Sequence, residues 1–170
     1  MISGLFVMIN KLNNILKSIY NYSGYIAAAF LIFIAMFILT GIISRIFGFY
    51  IRGLAEYSGY SMAASSFFAL AYTFYNKSHI RITLFFEKLK NKKRKITEVW
   101  CLSVASFFSG FMAFYFIKMT IVSIKFKERS EGADEIFIWI PQTAVAIGSL
   151  IFFICVLHHL IFLIIDKKIN

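Results

Sequence analysis

Residues 18–44, SIYNYSGYIAAAFLIFIAMFILTGIIS, run for 27 positions without a charged side chain. As a helix rising 1.5 Å per residue this run is longer than a hydrocarbon core of about 30 Å. Three more uncharged runs follow: 20 residues at 57–76, 19 at 99–117 and 30 at 136–165. Charged residues collect between them. The spacing predicts four spanning helices, at about 21–45, 57–76, 99–122 and 141–165. Pro141 falls in the first turn of the last one, where a missing N–H costs nothing. Phe137 and Trp139 just before it suit an interfacial aromatic belt.

Composition agrees with this reading. Of the 170 residues 60% are hydrophobic and 15% charged, against roughly 45–50% and about 25% in soluble domains. Mean hydropathy is +0.77. A soluble domain of this size could not hide that much apolar surface. The chain reads as an all-α integral membrane protein forming a single membrane domain, with no separate soluble domain.

Two amphipathic segments are expected besides the spans. Leu5, Phe6, Ile9, Leu12, Ile15, Leu16 and Ile19 recur at helical spacing, with Asn10, Lys11, Asn13, Asn14 and Lys17 between them. Residues 1–20 therefore read as an amphipathic helix lying on the membrane. A cleaved signal peptide fits less well, because the basic residues follow the apolar ones. In the second loop Ile82, Phe85, Phe86 and Leu89 form an apolar stripe among charges. Residues 80–95 read as a cytoplasmic interfacial helix, with His79, Arg81, Phe85 and Phe86 as its brace.

Orientation follows from Lys and Arg in the loops. The N-terminus, second loop and C-terminus hold 12 of them; the opposite side holds 6. Both termini are expected to be cytoplasmic. The net charge of +10 then marks a positive-inside anchor for anionic lipids, the basic run from Lys88 to Lys95 above all, and not a nucleic-acid surface.

No constellation for catalysis is present. The uncharged runs contain no Asp, Glu, Lys or Arg, so no buried carboxylate is available for proton-driven transport. His158 and His159 are adjacent, point about 100° apart and read as interfacial residues near the inner end of the last span. Cys101 and Cys155 read as small core residues. No catalytic, cofactor or metal site is expected, and the chain does not read as an enzyme. Small residues do recur at helical spacing in the later spans, Ser66, Gly110 and Gly148 among them, and let helices approach closely. They serve either packing within the bundle or docking of another membrane subunit.

Arg45-Ile46-Phe47, Glu56, His79-Ile80-Arg81 and Trp139-Ile140-Pro141-Gln142 with Gly148 occur in an order and spacing that resembles the small membrane subunit of tripartite ATP-independent periplasmic (TRAP) transporters. A second Glu beside Glu56 is absent, and Thr83 stands where the family usually has an acid. The resemblance covers nearly the whole chain. It implies a bacterial inner-membrane protein without an ion path of its own. The partners it implies are a large elevator-type membrane subunit and a periplasmic solute-binding protein. Sodium coupling is expected in that large subunit, and the solutes are organic acids such as C4-dicarboxylates or sialic acid. On this reading the chain is a scaffold. Arg45, Arg52 and Glu56, in one short outer loop, are candidates for docking the partner or the binding protein, with Glu128, Glu131, Asp134 and Glu135 nearby. Two other functions remain open: an anchor or scaffold for another membrane complex or cytoplasmic enzyme, and a self-contained oligomeric four-helix transporter.

Overall fold

The structure is a computed structural model. It describes the backbone of residues 2–86, 91–133 and 135–165, and the side chains of residues 13–76, 95–133 and 135–165. The described chain is helical: α1 (Ile2–Ile46), α2 (Leu54–Phe86), α3 (Asn91–Phe126) and α4 (Trp139–Ile164). Three stretches are long and apolar enough to cross a membrane: Asn13–Ile46, Lys95–Phe126 and Trp139–Ile164.

The expected second span, 57–76, is not among them. Its side chains explain why. Ser, Tyr, Thr and Asn interrupt it throughout, and a hydroxyl-rich helix gains too little from hydrocarbon on composition alone. That helix, α2, instead has helices on two sides, α1 and α4. It runs antiparallel to α1 along its described length. Leu54 reaches Gly41, the rings of Tyr57 and Phe37 stand 5.9 Å apart, and those of Phe68 and Phe30 6.2 Å. The Ser65 hydroxyl donates to the Ala27 carbonyl at 3.0 Å. Tyr75 closes the series against Tyr20 at 5.2 Å.

On its other side α2 lies parallel to α4. Phe67 meets Gly148. The Cys155 thiol donates to the Ala71 carbonyl at 3.6 Å. Phe74 meets Phe152 edge-on at 5.9 Å. The α3 helix packs on α4, where Gly110 faces the Phe153 ring. It touches α2 through Phe116 and Phe67, 5.1 Å apart. The N-terminal end of α1 and C-terminal end of α4 thus share one end of the bundle.

The two expected amphipathic helices are not separate elements. No break falls near residue 20. Helix propagation continues wherever nothing terminates it, and α1 is one helix of 45 residues. Leu16 and Tyr20, placed by sequence on a peripheral helix, pack in the core with Ala71 and Cys155. Likewise α2 extends through residues 80–86, and residues 91–95 open α3. His79, Arg81, Phe85 and Phe86 therefore lie on the last turns of α2, and their side chains lie outside the described residues.

The first helix ends by a Schellman cap. Gly48, at φ +74°, donates to the Arg45 carbonyl, and Phe49 donates to that of Ser44. Glycine takes this left-handed position at no steric cost. The third helix ends the same way with Lys127 in that position, at φ +51°.

Candidate interaction site

The end of the bundle where α1 joins α2 and α3 joins α4 carries the candidate docking residues. The α3–α4 connection is a small hairpin. Ile138 N–H donates to the Glu128 carbonyl at 3.1 Å, and Ser130 N–H to that of Ile136 at 2.8 Å. Arg129 and Phe137 pair between them, the guanidinium 5.0 Å over the ring. Glu128 Oε2 accepts from the buried Ser123 hydroxyl at 2.7 Å, tying the hairpin to the end of α3.

Two side chains of α2 hold this hairpin. Glu56 Oε1 accepts the Ala133 N–H at 3.3 Å, and the Tyr60 and Ser130 hydroxyls lie 2.8 Å apart. Ser130 and Ala133 of the third loop therefore lie beside the start of α2. Asp134 falls outside the described residues. Arg45 and Arg52 are exposed. Arg45 lines a cleft of about 270 Å³ between α1 and α2, whereas Arg52 stands in the α1–α2 turn.

Of the expected packing residues, Gly148 lies against the backbone of α2 and Gly110 against a ring of α4. Ser66 is exposed, and its hydroxyl donates back to the Met62 carbonyl at 2.8 Å. Four interior hydroxyls behave alike. Ser61, Ser109, Thr120 and Ser149 are buried and each donates to a carbonyl three or four residues earlier in its own helix. Such bonds occupy the hydroxyl protons within each helix.

Two readings are corrected. His158 is not interfacial but buried, 7% exposed, with Tyr20 Oη 3.5 Å from its Nδ1 and Phe162 against its face. Turning 100° away, His159 still packs inside, edge-on to Phe74 at 5.1 Å. The last span has helices on more than one side, so both directions lead inward. Cys155 is buried but Cys101 is exposed on the outer face of α3. Among the described residues no group of three His, Cys, Asp or Glu is placed to hold a metal.

The sequence is matched over residues 21–165 by the family described as tripartite ATP-independent periplasmic transporters, DctQ component. The chain belongs to this family. It is a multi-pass membrane protein and a component of a transporter, not an enzyme. Membership implies a complex with the large membrane subunit, DctM, and the periplasmic protein DctP. No curated protein and no solved structure matches the chain.

The sequence reading missed the hold of Glu56 and Tyr60 on the third loop. Its only sequence sign is one acid near the start of a helix, which usually serves the helix dipole alone.

Proposed function

We propose that this DctQ chain is the static scaffold of a sodium-coupled transporter that imports organic acids, such as C4-dicarboxylates or sialic acid. The large subunit carries solute and sodium by an elevator motion, and the periplasmic binding protein delivers the solute. The observation that carries this reading is the bundle interior. Ser61, Ser109, Thr120 and Ser149 donate within their own helices, Ser65 donates to the neighbouring helix, and the uncharged runs hold no carboxylate. A body without an ion path contributes by what it holds still.

On this reading α2 crosses the membrane with the other three, because it lies alongside α1 from Leu54 to Tyr75. The end bearing both termini faces the cytoplasm, where Lys and Arg predominate, and the hairpin end faces the periplasm. Arg45, Arg52 and Glu56 then lie on the periplasmic face, near the docking surface. The segment from His79 to Phe86, with Arg81 and Phe85, meets the cytoplasmic interface and anionic headgroups, and so resists being carried with the moving subunit.

Reconstitution tests the reading. The purified chain alone in liposomes should take up no labelled organic acid under a sodium gradient. Together with the large subunit and the binding protein it should. Sodium-dependent uptake by this chain alone would overturn it.

A further inference from the structure

Lys118 stands within the apolar stretch Lys95–Phe126 of α3. It comes eight residues before the helix ends at Phe126, roughly 12 Å along the axis. Neighbouring contacts fix its depth. Phe116, two residues earlier, meets Phe67 at 5.1 Å, in the middle of the uncharged run 57–76. Next to Phe67, Phe68 stacks on Phe30 at 6.2 Å, close to the middle of the run 18–44. On α4, Gly148 lies at the same level against Phe67. Lys118 therefore carries its charge at hydrocarbon depth, about half a turn from these contacts.

The side of α3 that carries Lys118 has no helix of this chain against it. Phe111, Phe114, Tyr115, Lys118 and Ile121 share that side, by threes and fours, and all are exposed. The ammonium does not reach for the near end of the helix. Its Nζ lies 5.9 Å from the centre of the Tyr115 ring, one turn back towards the N-terminus, the direction in which helical side chains lean. The ring face attracts the cation but brings no countercharge. The described carboxylates, Glu56, Glu98, Glu128, Glu131 and Glu135, lie near helix ends or in the α3–α4 connection. Among the described residues Lys118 has no ion-pair partner. A lone ammonium facing hydrocarbon is costly.

Charge and depth together select what covers this face. A lipid phosphate lies at headgroup level, and the ammonium is turned away from the nearer headgroups. A second copy of this chain brings no carboxylate to this depth, because its uncharged runs hold no Asp or Glu. A soluble binding protein stays outside the membrane. We propose that a transmembrane helix of the large subunit packs on this face of α3 and pairs an Asp or Glu carboxylate with Lys118 inside the membrane. The rings of Phe111 and Tyr115, 4.5 Å apart, form an apolar seat beside the pair, and the low dielectric there strengthens it. The proposal rests on the scaffold reading and adds to it the face and the ion pair through which the scaffold is joined.

The test uses the complete transporter in its membrane. Dicyclohexylcarbodiimide, an apolar reagent, activates a carboxylate as its O-acylisourea. A lysine amine in contact with it then displaces dicyclohexylurea and leaves an amide. Mass spectrometry of the treated complex should find Lys118 joined to an Asp or Glu in a transmembrane segment of the large subunit. Two variants separate charge from contact. Lys118→Met strands the carboxylate and should lower the large subunit recovered per chain about tenfold, at unchanged abundance in the membrane. Lys118→Arg keeps the charge and should hold recovery within about twofold, while the amide link at this position disappears. Full recovery with Lys118→Met would overturn the proposal, and so would the absence of any link from Lys118 to the large subunit. Loss of bound phospholipid from Lys118→Met with the large subunit fully recovered would overturn it in favour of a lipid headgroup. In each of these cases the native complex still copurifies and the scaffold reading stands. Failure of the native chain to copurify with the large subunit would overturn both.

Discussion

Gly148 of α4 touches the backbone of α2 at Phe67. A Cβ there would stand 2.9 Å from Phe67 Cβ, 3.1 Å from its carbonyl carbon and 3.1 Å from the Phe68 nitrogen. None of these atoms is the free end of a side chain, so any larger residue must push two helices apart. At Gly110 the obstacle is the Phe153 ring, 2.9 Å from a Cβ, and a ring can turn.

Substitution should rank the glycines accordingly. Gly148→Val should destabilise the chain in detergent by about 1–3 kcal/mol through overpacking. Gly110→Ala should cost less than half of that. Gly59→Ala should raise stability by up to about 1 kcal/mol, because alanine favours helix and the space is open. Thermal unfolding of the three variants measures the order. Equal effects at positions 148 and 59 would contradict the α2–α4 contact.

Glu56 reaches across from α2 to the Ala133 amide, whereas Arg52 stands exposed in its turn. Glu56→Ala should speed hydrogen exchange at residues 130–136 about fivefold, the loss of one hydrogen bond. Arg52→Ala should leave that exchange unchanged. On the proposed scaffold reading, Glu56→Lys in the whole transporter should slow solute uptake at constant membrane abundance, since it frees the hairpin between α3 and α4. Unaltered exchange in Glu56→Ala would remove the basis for that expectation.

The contrast between α1 and α2 shows what the sequence could reveal. The run 18–44 announces a membrane helix by itself, because a helix facing lipid must be apolar all round. The run 57–76 does not, because α2 is buffered by α1 and α4 and can afford Ser61 and Ser65 in its interior. Charge-free length marks both runs; hydropathy marks only the first. The misplaced residues have the same origin. Leu16, Tyr20 and His158 sit near the ends of uncharged runs, where local pattern suggests an interface, but tertiary packing draws all three inside. Pairwise holds such as Glu56 on Ala133 join residues 77 positions apart, and no local pattern encodes them. Family motifs pointed to Arg45 and Glu56 together, yet the structure turns Glu56 toward the third loop and leaves Arg45 at a cleft of α1 and α2.

Lys127 occupies the left-handed position of the cap that ends α3, at φ +51°. Gly48 holds the equivalent place after α1 at φ +74°. A side chain bearing a Cβ pays a steric cost there that glycine avoids. Lys127→Gly should therefore stabilise the chain by about 0.5–1 kcal/mol, and Gly48→Ala should destabilise it by about 1 kcal/mol. Denaturant or thermal unfolding in detergent compares the two. A loss of stability in Lys127→Gly would mean that the lysine side chain supplies a contact worth more than the backbone strain.

His158 poses the converse problem, a polar ring held where nothing completes it. Its Nε2 is buried without a partner. Its Nδ1 stands 3.5 Å from Tyr20 Oη, at the outer limit of a hydrogen bond. The rest of the ring is packed as any aromatic would be, 4.6 Å from Phe162 between centroids. Replacing it by Phe keeps that packing and removes the unpaired nitrogen, which costs about 1–3 kcal/mol when left buried. His158→Phe should thus unfold at the same temperature as the native chain or higher. The coupling energy in a double-mutant cycle with Tyr20→Phe should be below about 0.5 kcal/mol. A His158→Phe variant less stable by more than about 2 kcal/mol would instead mean that a buried water joins Nε2 to a neighbouring helix. The histidine would then be a link between helices and not an aromatic filler.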